Sequence, residues 1–170
     1  MIPDFDHSAI TGDDLREVAA RTHYTIDGLW FLAVEEKYGF DVAFELNQVV
    51  WRKAGPIIGK RLLKNINIEG KPPIQLLIEL LFADPLIYVH KPEVTELTDT
   101  KVILHLTECP IQVARIRDGK GVYDGIPGCT MLFQAYAGLV DPRITTRCNA
   151  CAPNPDSPEY WCEWVFEIPS

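Results

Sequence analysis

The hydrophobic period changes at Asp84-Pro85, and that change limits the chain to folds that segregate helices from a sheet. Before it, apolar residues recur at helical spacing. Thr11 to Asp14 reads as a capped start, with a hydroxyl at the cap and a carboxylate three residues on, and a first helix is expected to run to Tyr38, where Gly39 stops it. A second pattern runs from Phe40 through Val42, Leu46, Val49 and Trp51, with Gly55-Pro56 as a kink or break before Ile57 to Leu63. Lys71-Pro72-Pro73 opens a third helix, Ile74 to Phe82, apolar on nearly every side.

Beyond Asp84-Pro85 the runs are short and strand-like: Leu86 to His90, Glu93 to Leu97, and Lys101 to Glu108, with a hairpin loop from Leu97 to Lys101. Pro110 to Asp118 reads as a short helix and Cys129 to Val140 as a fourth long one. Two strands follow, Arg143 to Cys148 and Tyr160 to Ile168, separated by a proline-rich loop. The expectation is one α+β domain over residues 1–170, with a helical part (11–84) packed on an antiparallel sheet with one crossing helix, and a cysteine-bearing sheet part (85–170).

Composition excludes several classes. A net charge of −8, from 16 basic and 24 acidic residues, repels phosphate backbones, so no nucleic-acid partner is expected. No run approaches the about 18 apolar residues of a membrane span, so no membrane partner is expected either. The first residues lack a basic start followed by an apolar core, which points to the cytoplasm. Five cysteines in such a chain suit metal binding or catalysis better than a disulfide framework.

The cysteines concentrate near the C-terminus. Cys148 and Cys151 are spaced to reach one centre from a tight turn, and Cys162 returns in the last strand. A tetrahedral zinc site needs a fourth donor. Cys129, at the start of the fourth helix, is one candidate, because a helix N-terminus favours a thiolate. Cys109, which ends the strand carrying His105, is the other. Burial of all five as small hydrophobes is the competing explanation.

Other side chains are candidates for a ligand cavity. His23, Asp27 and Trp30 stack along one stripe of the first helix, where an inward carboxylate has reason to be paired or to have its pKa raised. His105 is expected beside Tyr88 and His90, and Arg115, Arg143 and Arg147 are spaced to clamp a carboxylate. If the chain is an enzyme, which composition leaves open, His23, Asp27 and Cys109 are the candidate catalytic groups. The absence of Gly-rich phosphate loops, nucleophile elbows and His-Glu-x-x-His pairs removes the commonest nucleotide, esterase and metalloprotease classes.

The run Asp27 to Glu36, the motif Cys109-Pro110-Ile111-Gln112, the stretch Cys148 to Asp156 and the motif Trp161-Cys162-Glu163-Trp164 together resemble a family of prokaryotic cytosolic proteins similar to L-2-amino-thiazoline-4-carboxylic acid hydrolase-like proteins. The last third also resembles, more distantly, the 4-vinyl reductase domain, an α+β small-molecule-binding module. Its zinc donors are a cysteine before a helix, an acidic residue, a second cysteine, and a third in an aromatic-flanked final strand. That resemblance implies Cys129, Cys148 in the acidic residue's place, Cys151 and Cys162. The resulting expectation is a zinc-binding module for an aromatic or carboxylated small molecule, with Asp27, Trp30, His105 and Arg115 in the ligand site. The alternatives are a hydrolase of small cyclic amidine or thiazoline substrates, or a partner-binding subunit, a homodimer included, that uses exposed aromatics such as Trp161.

Overall fold

The computed structural model describes residues 12–152 and 159–169. The Thr11 cap and the centre of the proline-rich loop, residues 153–158, lie outside the described residues. Two long helices open the chain, α1 (Gly12–Tyr38) and α2 (Phe40–Leu63), hinged at Gly39 alone. Gly39 sits at φ 90°, a left-handed conformation that costs a residue without Cβ little, so the reversal needs one residue.

Pro56 does not break α2. The helix runs through the expected break, and the neighbouring glycines have a packing role. A Cβ on Gly59 would come within 2.7 Å of Leu139 and 3.0 Å of the Tyr136 ring, and one on Gly55 within 3.2 Å of Ala135. The two glycines thus form the flat surface on which α6 (Ile126–Val140) crosses.

Helices α3 (Pro73–Ala83) and α4 (Pro85–Tyr88) meet at Asp84. Leu86 to His90 was expected to be a strand, but Asp84 and Pro85 start a helical turn there instead. The Asp84 carboxylate accepts from the Leu86 N–H at 2.8 Å, and Pro85 supplies a ready-made helical φ. Asp84 is wholly buried and also accepts from the Tyr136 hydroxyl at 2.5 Å, so this one carboxylate ties the α3–α4 junction to α6.

The sheet has strands β1 (Pro92–Leu97), β2 (Lys101–Leu106), β3 (Thr145–Cys151) and β4 (Cys162–Glu167), all antiparallel, in the order β1-β2-β4-β3. Two helices, α5 (Pro110–Arg117) and α6, intervene between β2 and β3. The fold is α+β. One sheet face carries Val102, Leu104, Leu106, Trp164 and Phe166 into a core shared with α3 and α6, as strand alternation requires. Trp161 packs against this core and is half-buried, so it is not the free aromatic expected of a docking residue.

Candidate functional site

The Cys-x-x-Cys pair lies within β3, not in a tight turn. In a regular strand, residues three apart point to opposite faces. Here the register slips between Cys148 and Ala150: Cys148 pairs with Trp164, Ala150 with Glu163, and Cys151 with Cys162. Asn149 is the extra residue of a β-bulge, and it restores the parity that turns both thiols to the inner face. Cys151 and Cys162 then face each other across the strand pair, with their sulfurs 2.9 Å apart.

The three thiols share their protons unequally. Cys148 and Cys162 direct thiols at the Cys151 sulfur, which brings its pKa down from 9.0 to about 4. The charge so formed, together with burial, pushes the thiols of Cys148 and Cys162 up. The Cys148 sulfur also lies 3.1 Å from the Ala150 carbonyl, a second acceptor for its single proton. Cys129 sits in the first turn of α6, three residues inside its start, so burial outweighs the helix N-terminus and raises its thiol. Burial likewise raises the Cys109 thiol to about 11.

Cys109, Cys129, Cys151 and Cys162 line one small cavity of about 80 Å³ beneath α2, together with Tyr24, Trp51 and His90. Among the described residues, no three His, Cys, Asp or Glu side chains stand in ready metal-binding geometry. The 2.9 Å between the Cys151 and Cys162 sulfurs is shorter than the about 3.8 Å edge of a tetrahedron with 2.3 Å zinc–sulfur bonds. The donor set fits zinc in residue type.

His90 closes the cavity from the α4 side. It is buried, its Nδ1–H donates to the Glu108 carbonyl at 3.0 Å, and its Nε2 accepts from the Tyr24 hydroxyl at 2.9 Å. Burial lowers its pKa from 6.5 to about 4. The unfolded chain therefore takes up a proton below pH 6.5 that the folded one refuses until about pH 4, and stability drains away as pH falls through that window. The expected loss is about 3 kcal/mol between pH 7 and pH 4. Urea midpoints at the two pH values should show a markedly smaller difference for His90→Gln than for the unaltered chain.

A second cavity, of about 400 Å³, lies among α1, α2 and α5 and shares Tyr24, Asn47, Trp51, Ile111 and Tyr123 with the first. Asp27 is in its wall. Burial raises the Asp27 carboxyl, partly offset by His23 and by hydrogen bonds from Asn47 and Trp51. His23 stacks edge-on against Trp51, 5.7 Å between ring centres. Trp30, by contrast, is 69% exposed and lines neither cavity.

Arg115 also lines the larger cavity, but its guanidinium is already engaged. Nη1 and Nη2 donate to Glu35 at 2.9 and 3.4 Å, while Phe31, Phe40 and Tyr123 surround it at 5.2–5.8 Å. The pair pins α5 to α1. Arg143 is held by Asp141, and Arg147 faces Glu167 at 3.7 Å. His105 lies on the outer sheet face, where its Nε2–H donates to Glu163 at 2.8 Å, away from Tyr88 and His90. The strand expected at Leu86–His90 had placed them together, and the helix there separates them.

Three cavity residues escaped the sequence reading. Tyr24 belongs to the Arg16, Ala20, Tyr24, Asp27, Phe31 stripe, so helical spacing contained the signal. Gln112 is buried and holds the glycine-bearing loop by donating to the Tyr123 carbonyl at 2.8 Å and accepting from its N–H at 3.2 Å. Tyr123 carries no sequence signal, because its position depends on that loop.

None of the described helices is long and apolar enough to cross a membrane. No curated protein and no solved structure matches the chain. A family model spans residues 10–168, and by that match the chain belongs to a family of unknown function, DUF6125.

Proposed function

We propose that this chain is a cytoplasmic zinc-holding domain that binds a small aromatic molecule. The observation that carries the reading is that a β-bulge turns Cys148 to the same face as Cys151 and Cys162, the last two lining one cavity with Cys109 and Cys129. Zinc bound by four thiolates has a closed shell, so its role here is structural: it fastens the β3–β4 end of the sheet to α6. Such thiols need a reducing compartment.

The ligand belongs in the larger cavity, within the usual size range for small-molecule sites. Aromatic chemistry is favoured over a carboxylate. Arg21, Arg115 and Arg117 in its wall already face Glu17, Glu35 and Asp118, whereas Tyr24, Phe31, Trp51 and Tyr123 offer ring surface. A hydrolase reading has one observation in its favour, the raised carboxyl of Asp27 in that wall, suited to a general acid. Cys109 supports it poorly, since a thiol at about 11 is scarcely ionised at neutral pH.

Metal analysis of protein purified under reducing conditions tests the proposal. One zinc per chain is expected, and cobalt(II) exchange should produce thiolate-to-metal charge-transfer absorption. Protein that carries no zinc and takes up no cobalt would overturn it.

A further inference from the structure

Cys151 and Cys162 are directly opposed across the β3–β4 pair, and both are free thiols. Residues opposite each other in an antiparallel pair have Cα atoms about 4.5–5.5 Å apart, inside the about 4.4–6.8 Å that a disulfide spans. Their sulfurs stand 2.9 Å apart, so a bond of about 2.05 Å needs about 0.9 Å of approach by the side chains and no change of register. Among the five cysteines no other two occupy facing positions. Cys148 pairs with Trp164, Cys109 precedes α5, and Cys129 lies in the first turn of α6.

The two sulfurs also share the wall of the small cavity. At about 80 Å³ it has room for a few molecules the size of water, hydrogen peroxide among them, and none for a peptide disulfide. Size therefore selects the oxidant.

We propose that Cys151 and Cys162 are a reversible modification site, at which a small hydroperoxide forms a cross-strand disulfide that dismantles the thiol cluster. The Cys151 sulfur attacks one oxygen of hydrogen peroxide, an S–O bond forms as the O–O bond breaks, and the departing hydroxide leaves as water with the Cys151 proton. The Cys162 sulfur then attacks the Cys151 sulfenic acid. An S–S bond replaces the S–O bond, and the second hydroxide leaves as water with the Cys162 proton. Two thiols lose two electrons to one peroxide, and a dithiol reverses the step by exchange. One consequence rests on the zinc reading: the disulfide removes two of the four donors, so the metal leaves, and its tie to α6 is exchanged for a covalent tie within the sheet.

Hydrogen peroxide treatment of the full chain, with and without prior chelation, tests the site when followed by thiol alkylation and mass spectrometry of proteolytic peptides. The expected result is three alkylated cysteines in place of five, with one cross-link between the Cys151 and Cys162 peptides. Dithiothreitol should restore all five. Cys162→Ser should instead accumulate a sulfenic acid on Cys151 that dimedone traps, whereas Cys109→Ser should cross-link as the unaltered chain does. Five alkylatable thiols after treatment, sulfinic acid on Cys151 without a cross-link, or a cross-link through Cys109, Cys129 or Cys148 would overturn the proposal. So would zinc that stays bound in fully cross-linked chain. A cross-link formed in protein that never carried zinc would sink the metal reading alone and support this one.

Discussion

Cys151→Ser abolishes stoichiometric zinc and lowers the stability of the folded chain by about 3–5 kcal/mol, the expected result if the thiol cluster holds a structural metal. Cys151 is the sensitive position because both other strand thiols meet at its sulfur, and it is the thiol that ionises first. Its loss removes the central donor. Without a metal, replacing one buried thiol by a hydroxyl of similar size would cost only about 1–2 kcal/mol, the penalty of a poorly paired polar group. The size of the effect therefore separates the two cases. Chelator treatment of the unaltered chain should reproduce most of the loss, and Cys109→Ser, which leaves the proposed donor set whole, should keep zinc at one per chain. Zinc measured by mass spectrometry, beside thermal unfolding, reads both quantities. Retention of full zinc by Cys151→Ser would remove Cys151 from the donor set.

Trp164→Ala should destabilise the fold by about 3–5 kcal/mol, the usual cost of removing a buried ring from a close-packed core. Trp164 has no exposed surface, lies on β4 between Leu104 of β2 and Cys148 of β3, and meets Phe133 of α6 edge-on with 4.6 Å between ring centres. It is therefore the side chain through which the central strand grips the crossing helix. Its indole Nε1–H finds no acceptor among the described residues. A buried donor without a partner costs about 1–3 kcal/mol, so Trp164→Phe, which deletes that donor and keeps most of the ring, should cost less than about 1.5 kcal/mol. Urea denaturation of the two variants gives the comparison. Equal losses would mean that the indole N–H is satisfied, and the orphan donor would then have to be abandoned.

The architecture was legible where local chemistry and tertiary packing agree. Gly39, the prolines opening α3 and α5, and the alternation of β2 and β4 act through backbone geometry within a few residues, so reading them needs no neighbour. Leu86 to His90 misled because a short apolar run has no period of its own. A buried carboxylate at Asp84, held by Tyr136 from 52 residues away, selects the helical turn there. Pro56 marked a break that the packing of α6 on Gly55 and Gly59 does not need.

Taken alone, the amino-acid sequence determined the α+β order, the inward set of β4, and the presence of thiols at spacings a metal can use. These are properties of residue type and period. Tertiary structure decided which thiols meet. The parity of Cys148 and Cys151 turns on a single bulged residue, and that bulge exists only because β3 pairs with β4. The same holds for Arg115 and His105, whose side chains were visible but whose partners, Glu35 and Glu163, come from 80 and 58 residues away. Long-range pairing depends on how distant segments pack, and no local pattern encodes it.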